Sequence, residues 1–221
     1  MKKKRVGTKE KLLKVAIDLF SEKGYDGATV DEVVNTAGVN KRMLYHYFGS
    51  KESIYREVLK EVFTRLEKVE LATIHPEEPI ENTLEKLVRA YFNFLVTNPD
   101  FVSLLLWENL AKGRHLNPKM VQFSKAPILD LLNKVLHEGA LRGQIREGLN
   151  VKHLFINMTG LCLIYFSNSY TLTQTVDLDL NSPKVLEAGI QQVLSLLRHG
   201  ILNPIQIKNP KSLTKKVKLK K

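Results

Sequence analysis

Cysteine is nearly absent from this sequence, since Cys162 is the only one among 221 residues. It cannot form a disulfide within the chain, which agrees with a reducing, cytoplasmic location. No apolar run approaches the roughly 20 residues that a membrane span requires, and the basic amino terminus lacks the pattern of a signal peptide. We therefore predict a soluble, cytoplasmic protein with no membrane partner.

Sequence motifs of catalysis are also missing. The six histidines show no metal-ligand spacing such as HExxH, Cys162 lies in an apolar run without a paired base, and no glycine-rich phosphate loop occurs. We predict no catalytic residues, no metal site and no cofactor, so we do not expect an enzyme. At this length, one large or two small domains can bury a core without metal or disulfide support.

Positive charge, in contrast, is abundant and unevenly distributed. The formal net charge is +11. Residues 1–51 hold eleven Lys and Arg against six Asp and Glu, residues 208–221 hold seven lysines and no acid, and the rest of the chain is close to neutral. A near-neutral body with two basic ends suggests a domain that faces a polyanion such as nucleic acid, followed by a disordered lysine-rich tail.

The amino-terminal region begins with two predicted helices. Apolar residues recur at helical spacing from Leu12 to Phe20, and Gly24 is placed to end the first helix. Thr29, with Glu32 three residues later, has the spacing of a capping box and begins a second, short helix that Gly38 ends.

A third helix follows the glycine turn directly. Asn40 is a suitable N-cap for it, and Ser50 begins a fourth helix. Helix, glycine turn and helix within about twenty residues is the spacing of a helix-turn-helix, whose second helix enters the major groove of DNA. The third helix is therefore the predicted recognition helix.

The recognition helix has two faces. Leu44 and Phe48 lie four residues apart and are predicted to pack inward. Arg and Lys can donate to the O6 and N7 atoms of guanine, whereas Tyr, His and the nearby Lys51 suit phosphate oxygens. The outward, donor-rich face consists of Lys41, Arg42, Tyr45 and His46.

These residues carry a family resemblance. The stretch from about Thr8 to Leu59, and above all "TVDEVVNTAGVNKRMLYHYFGSKESIYREVL", resembles the DNA-binding domain of the TetR family of bacterial transcriptional regulators. The matching features occur in order: the Thr29 helix start, the Ala37-Gly38-Val39 turn, the Leu44-Tyr45-x-Tyr47-Phe48 core and Ser50-Lys51-Glu52.

The resemblance implies a set of DNA contacts. One departure from the family pattern is Arg42, because that position often holds a small residue, frequently glycine. The operator sequences of relatives therefore do not transfer to this chain. By resemblance, Thr29, Tyr45, His46, Tyr47 and Lys51 meet the phosphate backbone, and Asn40, Lys41 and Arg42 lie near the bases.

The rest of the chain is also predicted to be helical. The pattern gives an all-α fold of about nine helices: an N-terminal helix-turn-helix domain followed by a helical effector-binding and dimerisation domain. The later helices are expected at 50–71, 80–97, 99–111, from 118 onward with a break or kink at Pro127, at 150–168 and at 183–199. The predicted domains are 1–55, 56–205 and a lysine-rich, disordered tail at 206–221.

The two basic ends leave alternatives open. The arm with Lys2, Lys3, Lys4 and Arg5 can follow DNA phosphates or enter the minor groove, or it is a frayed terminus kept soluble by its charge. The tail at 208–221 is a disordered segment or adds non-specific DNA affinity. The third alternative is that the tail at 208–221 binds an anionic membrane surface or an acidic patch on another protein.

The second domain offers apolar and polar side chains for a small-molecule effector, whose existence the resemblance implies. Trp107 and Tyr165 are the preferred walls, because an aromatic ring with a polar group suits an amphipathic ligand. Arg114 either supplies a cation at the pocket mouth or caps a helix end. Core packing is the competing interpretation for all of them. The candidates are Tyr91, Phe94, Trp107, Arg114, His115, Met158, Cys162 and Tyr165.

A homodimer is predicted through the helices near 150–168 and 183–199. The segment "HLFINMTGLCLIYF" is apolar nearly all round, with Gly160 as a point of close approach. The family resemblance implies a four-helix contact between two protomers, and a core helix within one chain is the alternative. The partner stripe in the later helix consists of Val185, Leu186, Ile190, Val193, Leu194 and Leu197.

Together these features predict a ligand-responsive transcriptional repressor. It would bind a near-palindromic operator in double-stranded DNA as a homodimer and be released by a small-molecule effector. The alternatives are a non-specific, architectural DNA-organising protein of the same fold, or a regulator controlled by a protein partner.

Overall fold

A computed structural model describes residues 7–116 and 118–204 of the chain, without the side chains of residues 118–124. These residues form ten helices and no strand. Their bounds are α1 (Thr8–Gly27), α2 (Val30–Ala37), α3 (Lys41–Phe48), α4 (Lys51–Thr73), α5 (Ile80–Thr97), α6 (Pro99–Leu110), α7 (Pro118–Leu141), α8 (Val151–Ser167), α9 (Ser169–Val176) and α10 (Pro183–Ile201).

The predicted all-α fold is confirmed, with two differences. The first is α9, with the sequence SYTLTQTV, which was not predicted because three threonines and a valine give it weak helix propensity. The second is α7, which continues through Pro127 and so lacks the break that was one of the two expected outcomes there. None of the described helices is long and apolar enough to cross a membrane.

The described chain separates into two compact units by its internal contacts, and the boundaries fall within α4, α5 and α7. The first unit contains the described residues up to 69 and from 94 to 125. The second contains those from 70 to 93 and from 126 onward.

In the first unit, α1 packs against α6 and also contacts α2 and α3. The ring of Trp107 in α6 lies against Gly24 of α1, where an added Cβ would come within 2.8 Å of the Trp107 Cδ2 atom. Gly24 has φ of 70°, so glycine is required both for its backbone and for this close contact. The buried core of this unit includes Leu12, Ala16, Phe20, Val33, Leu44, Ile54, Val58 and Leu104.

In the second unit, α8 packs against α10. Gly189 lets α10 lie close to the Tyr165 ring of α8, since a Cβ at residue 189 would come within 2.6 Å of that ring. Ion pairs join α5 to α10, with the Arg198 guanidinium 3.1 Å from the carboxylates of both Glu81 and Glu85. The buried core includes Leu84, Leu87, Val88, Ile128, Met158, Cys162, Ile190, Val193 and Leu194.

Candidate nucleic-acid interface

The start of α2 is fixed by a complete capping box. The Thr29 hydroxyl accepts a hydrogen bond from the Glu32 backbone N–H at 3.2 Å, and the Glu32 carboxylate accepts from the Thr29 backbone N–H at 2.8 Å. Two backbone donors at the helix start are thus satisfied, as the sequence predicted. The exposed Thr29 hydroxyl also donates to Glu32 at 2.9 Å, so this side chain is held in place at the protein surface.

Glu32 is also held by α1, because Lys23 donates to its other carboxylate oxygen at 2.7 Å. The hydrogen bond from Lys23, followed by those from Thr29, lowers the pKa of Glu32 to about 2. The start of α2 and the end of α1 are therefore joined by one ionised carboxylate.

Replacing Glu32 by glutamine should reveal this ionisation. The pKa is depressed on folding, so the contribution of the charge is present above the ordinary value of 4.5 and is lost as the pH falls towards about 2. We expect the difference in unfolding free energy between wild type and Glu32→Gln to be constant from pH 7 to about 5 and to shrink below that. Urea unfolding at several pH values measures it; a difference that grows in acid would contradict the assignment.

The turn between α2 and α3 positions the predicted recognition helix. Gly38 ends α2 in the left-handed conformation, with φ of 60°. Asn40 caps α3, and its Oδ1 atom accepts from the backbone N–H of Arg42 at 2.9 Å. Both features were predicted from the sequence, and they hold the first turn of α3 in a defined orientation.

The two faces of α3 are also as predicted. Leu44 and Phe48 are buried. The predicted outward face, Lys41, Arg42, Tyr45 and His46, is exposed, and Tyr47 is exposed as well. The rings of His46 and Tyr47 meet edge to face at 5.1 Å between centroids.

The two cations at the start of α3 differ in their surroundings. The Lys41 ammonium lies 2.8 Å from Asp31 of α2, and this hydrogen bond raises the pKa of Lys41. Arg42 forms no ion pair with any described residue. The guanidinium of Arg42 can therefore bind a ligand without breaking an ion pair. The Lys41 ammonium must either separate from Asp31 or bind with its charge partly neutralised by Asp31.

Lys51 begins α4 beside the recognition helix. Its ammonium lies over the ring of Tyr25, 4.6 Å from the centroid, in a cation–π contact. Tyr25 therefore orients Lys51. The contact joins residues far apart in sequence, and no local pattern indicates it.

Two further lysines, which no sequence motif indicates, lie close to α3. Lys9 has its ammonium 5.6 Å from the centroid of the Phe48 ring, at the end of the helix. The Lys11 ammonium lies 3.7 Å from the position of a Cβ at Gly38, in the turn before the helix. Only the packing of α1 against α3 brings these charges to the interface. The basic arm at Lys2–Arg5 and the tail at 208–221 lie outside the described residues.

The predicted effector residues are divided between the two units. In the first, Phe94 is buried and packs edge to face on Phe101, with ring centroids 5.2 Å apart. Trp107, Arg114 and His115 line one cleft in that unit.

The other four predicted effector residues belong to the second unit. Tyr91 is buried and donates a short hydrogen bond to the buried Glu70. Met158 and Cys162 are in the core, where burial raises the pKa of the Cys162 thiol to about 12. Tyr165 is half-buried, 5.2 Å from the Phe92 ring.

One side of α8 and α10 carries an apolar groove of about 890 Å³. Ile156 and Leu196, each 61% exposed, lie along it, and an added Cβ at Gly160 or Gly200 would meet nothing within 4 Å. Four of the six α10 residues predicted for the dimer contact are buried within the protomer, because α10 packs that stripe against its own unit. The prediction is therefore wrong for Ile190, Val193, Leu194 and Leu197, whereas Val185 and Leu186 are half-buried.

Two family models match this chain, one in its amino-terminal part and one in its carboxy-terminal part. Residues 12–58 match the family described as "Bacterial regulatory proteins, tetR family", and residues 79–196 match "Tetracyclin repressor-like, C-terminal domain". The chain is 29% identical over 195 residues to the transcriptional repressor NicS of Pseudomonas putida, covering 88% of this chain and 92% of that protein. It is 44% identical over 61 residues to the biofilm operon regulator IcaR of Staphylococcus aureus, covering 28% of this chain and 33% of that protein.

Solved structures show the same fold. The regulator FadR of Bacillus subtilis, crystallised with stearoyl-CoA, aligns with a TM-score of 0.63 at 23% identity, covering 86% of this chain and 97% of that one. The family matches extend over most of the chain and contain the capped α2 and α3 described above. The chain therefore belongs to the TetR family of bacterial transcriptional regulators.

Proposed function

We propose that the protein is a ligand-responsive transcriptional repressor that binds a near-palindromic operator as a homodimer. The observation that carries the proposal is the exposed first turn of α3, where Asn40 fixes the backbone and Arg42 has no ion pair among the described residues. This is the arrangement that a recognition helix needs for its amino-terminal side chains to reach base edges. The relatives named as repressors support the sign of regulation.

The interface divides into positioning and reading groups. Arg42 is proposed to read a guanine, and Asn40 and Lys41 lie beside it near the bases. Lys9 and Lys11 extend the cationic surface at the two ends of α3. The phosphate contacts are assigned to Thr29, Tyr45, His46, Tyr47 and Lys51.

The apolar groove on α8 and α10 is proposed as the dimer contact. Ile156 and Leu196 would meet their symmetry mates in a two-fold contact, as in most homodimers. Gly160 and Gly200 leave room for another backbone to approach closely. A dimer would place two copies of α3 on two half-sites of one operator.

The domain division is proposed as residues 1–55 for DNA binding, 56–205 for effector binding and dimerisation, and 206–221 as a tail. A ligand that prefers a conformation unsuited to DNA must weaken DNA binding by the same coupling free energy with which DNA weakens ligand binding, typically about 1–3 kcal/mol. Equal ligand affinities with and without operator would contradict this coupling.

Hydroxyl-radical footprinting on a bound DNA fragment tests the proposed mode of binding. We expect two protected half-sites related by a two-fold axis, about one helical turn apart. Continuous protection along the fragment, without a repeat, would contradict operator binding by a dimer.

Substitution of Lys51 by alanine should weaken binding to every DNA sequence alike. Lys51 supplies a phosphate contact, so its loss removes one released counterion and lowers the slope of log affinity against log salt by about 0.9. Tyr45→Phe should also weaken binding to all DNA sequences alike. Its change in the salt slope should be smaller, because only an uncharged hydroxyl is lost. Fluorescence anisotropy over a series of salt concentrations measures both, with Lys134→Gln, an exposed lysine of α7, as the control. An effect of Lys51→Ala on one sequence only would contradict the phosphate assignment.

A further inference from the structure

A cleft of about 510 Å³ lies in the first unit, between the end of α1 at residues 24–27 and the end of α6. Its volume is within the range of about 300–1,000 Å³ that is common for small-molecule sites. The cleft is separate from the outward face of α3.

The buried wall of the cleft contains a hydrogen-bonded carboxylate. Glu108 is 1% exposed and accepts hydrogen bonds from the Tyr55 hydroxyl at 3.0 Å, the backbone N–H of His115 at 3.1 Å and the Nδ1 atom of His115 at 2.9 Å. The positions of Tyr55 and His115 are therefore fixed by one buried acid.

One nitrogen of the His115 ring has no partner among the described residues. The side chain is 4% exposed and lines the cleft, and its Nε2 atom has no hydrogen bond to any described residue. Because Nδ1 donates to the Glu108 carboxylate, Nε2 accepts a hydrogen bond in the neutral ring and donates one in the protonated ring. A buried imidazole with one fixed and one unused nitrogen is suited to contact a polar ligand group.

Aromatic rings form the remaining walls. The Tyr25 ring lies 4.2 Å from the His115 ring between centroids. Trp107 is 38% exposed and is held by a hydrogen bond from its Nε1 atom to the Ser21 carbonyl oxygen at 3.2 Å. These fixed, partly open rings offer flat apolar surface to a planar ligand.

The exposed charges of the lining favour an anion, because two cations that are unpaired among the described residues face one exposed acid. Lys112 and Arg114 are exposed and form no ion pair with any described residue. Asp26 is the exposed acid that opposes them. Lys23 is paired with Glu32, and the Glu108 carboxylate keeps its charge but is buried beneath its three hydrogen-bond donors. Lys112 also has a left-handed backbone, with φ of 57°, a conformation that non-glycine residues adopt rarely and often at functional sites.

We propose that this cleft binds a small organic acid with a planar ring, its carboxylate facing Arg114 and Lys112 and its ring against Trp107 and Tyr25. The proposal rests on the proposed function in one respect: the bound acid is an effector that weakens DNA binding. Tyr25 provides the connection, because it lines the cleft and also carries the Lys51 ammonium over its ring. An anion bound beside Tyr25 attracts the Lys51 ammonium and thereby weakens the contact of Lys51 with a DNA phosphate.

Trp107 makes the binding directly measurable, since it is the only tryptophan in the chain. We would titrate the full-length protein with benzoate, with benzylamine as the probe of opposite charge, and follow tryptophan fluorescence at constant ionic strength. Benzoate should give a saturable change that benzylamine does not. Arg114→Gln should weaken benzoate binding by about tenfold, the usual effect of losing a charged hydrogen bond. Lys134→Gln, on the second unit, should leave it unchanged.

A DNA-binding measurement then distinguishes failure of the ligand site from failure of its regulatory role. If the site is an effector site, benzoate weakens DNA binding by wild type and does so at about tenfold higher concentration for Arg114→Gln. A fluorescence change that is not saturable, that benzylamine reproduces, or that Arg114→Gln leaves intact overturns the site. Saturable binding with no effect on a specific DNA complex keeps the site and overturns its regulatory role. Saturable binding by a protein that recognises no specific DNA contradicts the proposed function instead.

Discussion

A protein with lysine at both Ile156 and Leu196 is expected to be a monomer and to bind operator DNA at least about 100-fold more weakly than wild type. Each side chain is 61% exposed, so the charges cost little in the isolated protomer. In the proposed dimer, four ammonium groups would be enclosed in an apolar contact without partners, which is strongly unfavourable. Loss of the dimer removes the gain in affinity that comes from linking two half-site contacts.

Sedimentation velocity and fluorescence anisotropy measure the two effects together. Leu141→Lys is a matched control, because Leu141 is a 70% exposed leucine at the end of α7 and does not line the groove. It should remain dimeric with unchanged DNA affinity. If Ile156→Lys with Leu196→Lys stays a dimer, the contact lies elsewhere on the molecule. If it becomes a monomer with full affinity, the operator is not read by two linked copies of α3.

Arg42→Ala is expected to change which base pairs the protein prefers. A bidentate contact from arginine to guanine contributes about 1–3 kcal/mol of discrimination against another base, or roughly 5-fold to 150-fold. Arg42 has no ion pair among the described residues, so its removal leaves no unpaired acid behind. The loss should therefore appear at particular base pairs, with the preferences at the other positions kept.

Lys41→Ala is the natural comparison, because Lys41 is the neighbouring cation and is paired with Asp31. Since its charge is partly neutralised within the protein, we expect a smaller change in base preference from Lys41→Ala than from Arg42→Ala. Affinities for a set of single-base operator variants measure both. A uniform loss of affinity for all variants with Arg42→Ala would assign Arg42 to a phosphate and contradict the base-reading role.

Much of the candidate nucleic-acid interface was predictable because its determinants are local. The Thr29–Glu32 capping box, the left-handed Gly38 and the Asn40 cap are each set by residues within three positions of one another. The spacing of Leu44 and Phe48 then fixes the buried face of α3, and with it the exposed one. Local signals of this kind survive in the folded chain because the packing agrees with them.

What could not be predicted depends on contacts between distant parts of the chain. The cation–π contact of Lys51 with Tyr25 and the packing of Trp107 on Gly24 join elements that no spacing rule connects. The apolar character of α8 was visible in the sequence, but not which side the protomer covers. In the structure Met158 and Cys162 face the core while Ile156 is exposed, and that choice is made by the packing of α10.

The predicted effector residues illustrate the same limit. Residue types pointed to Trp107, His115, Tyr91 and Tyr165 together, because aromatic rings and polar groups suit a ligand. Their chain positions did not show that Trp107 and His115 belong to one compact unit and Tyr91 and Tyr165 to the other. Grouping them requires the fold, and it is the fold that brings His115 to Glu108 and Tyr55.

The most direct test is selection of genomic DNA fragments by the purified protein at near-physiological salt, with and without residues 208–221. We expect both forms to recover fragments that share a near-palindromic sequence, with half-sites about one helical turn apart on one face of the duplex. Recovery without any shared sequence, lost when residues 208–221 are removed, would show that the lysine-rich tail supplies the binding and would contradict sequence reading by α3.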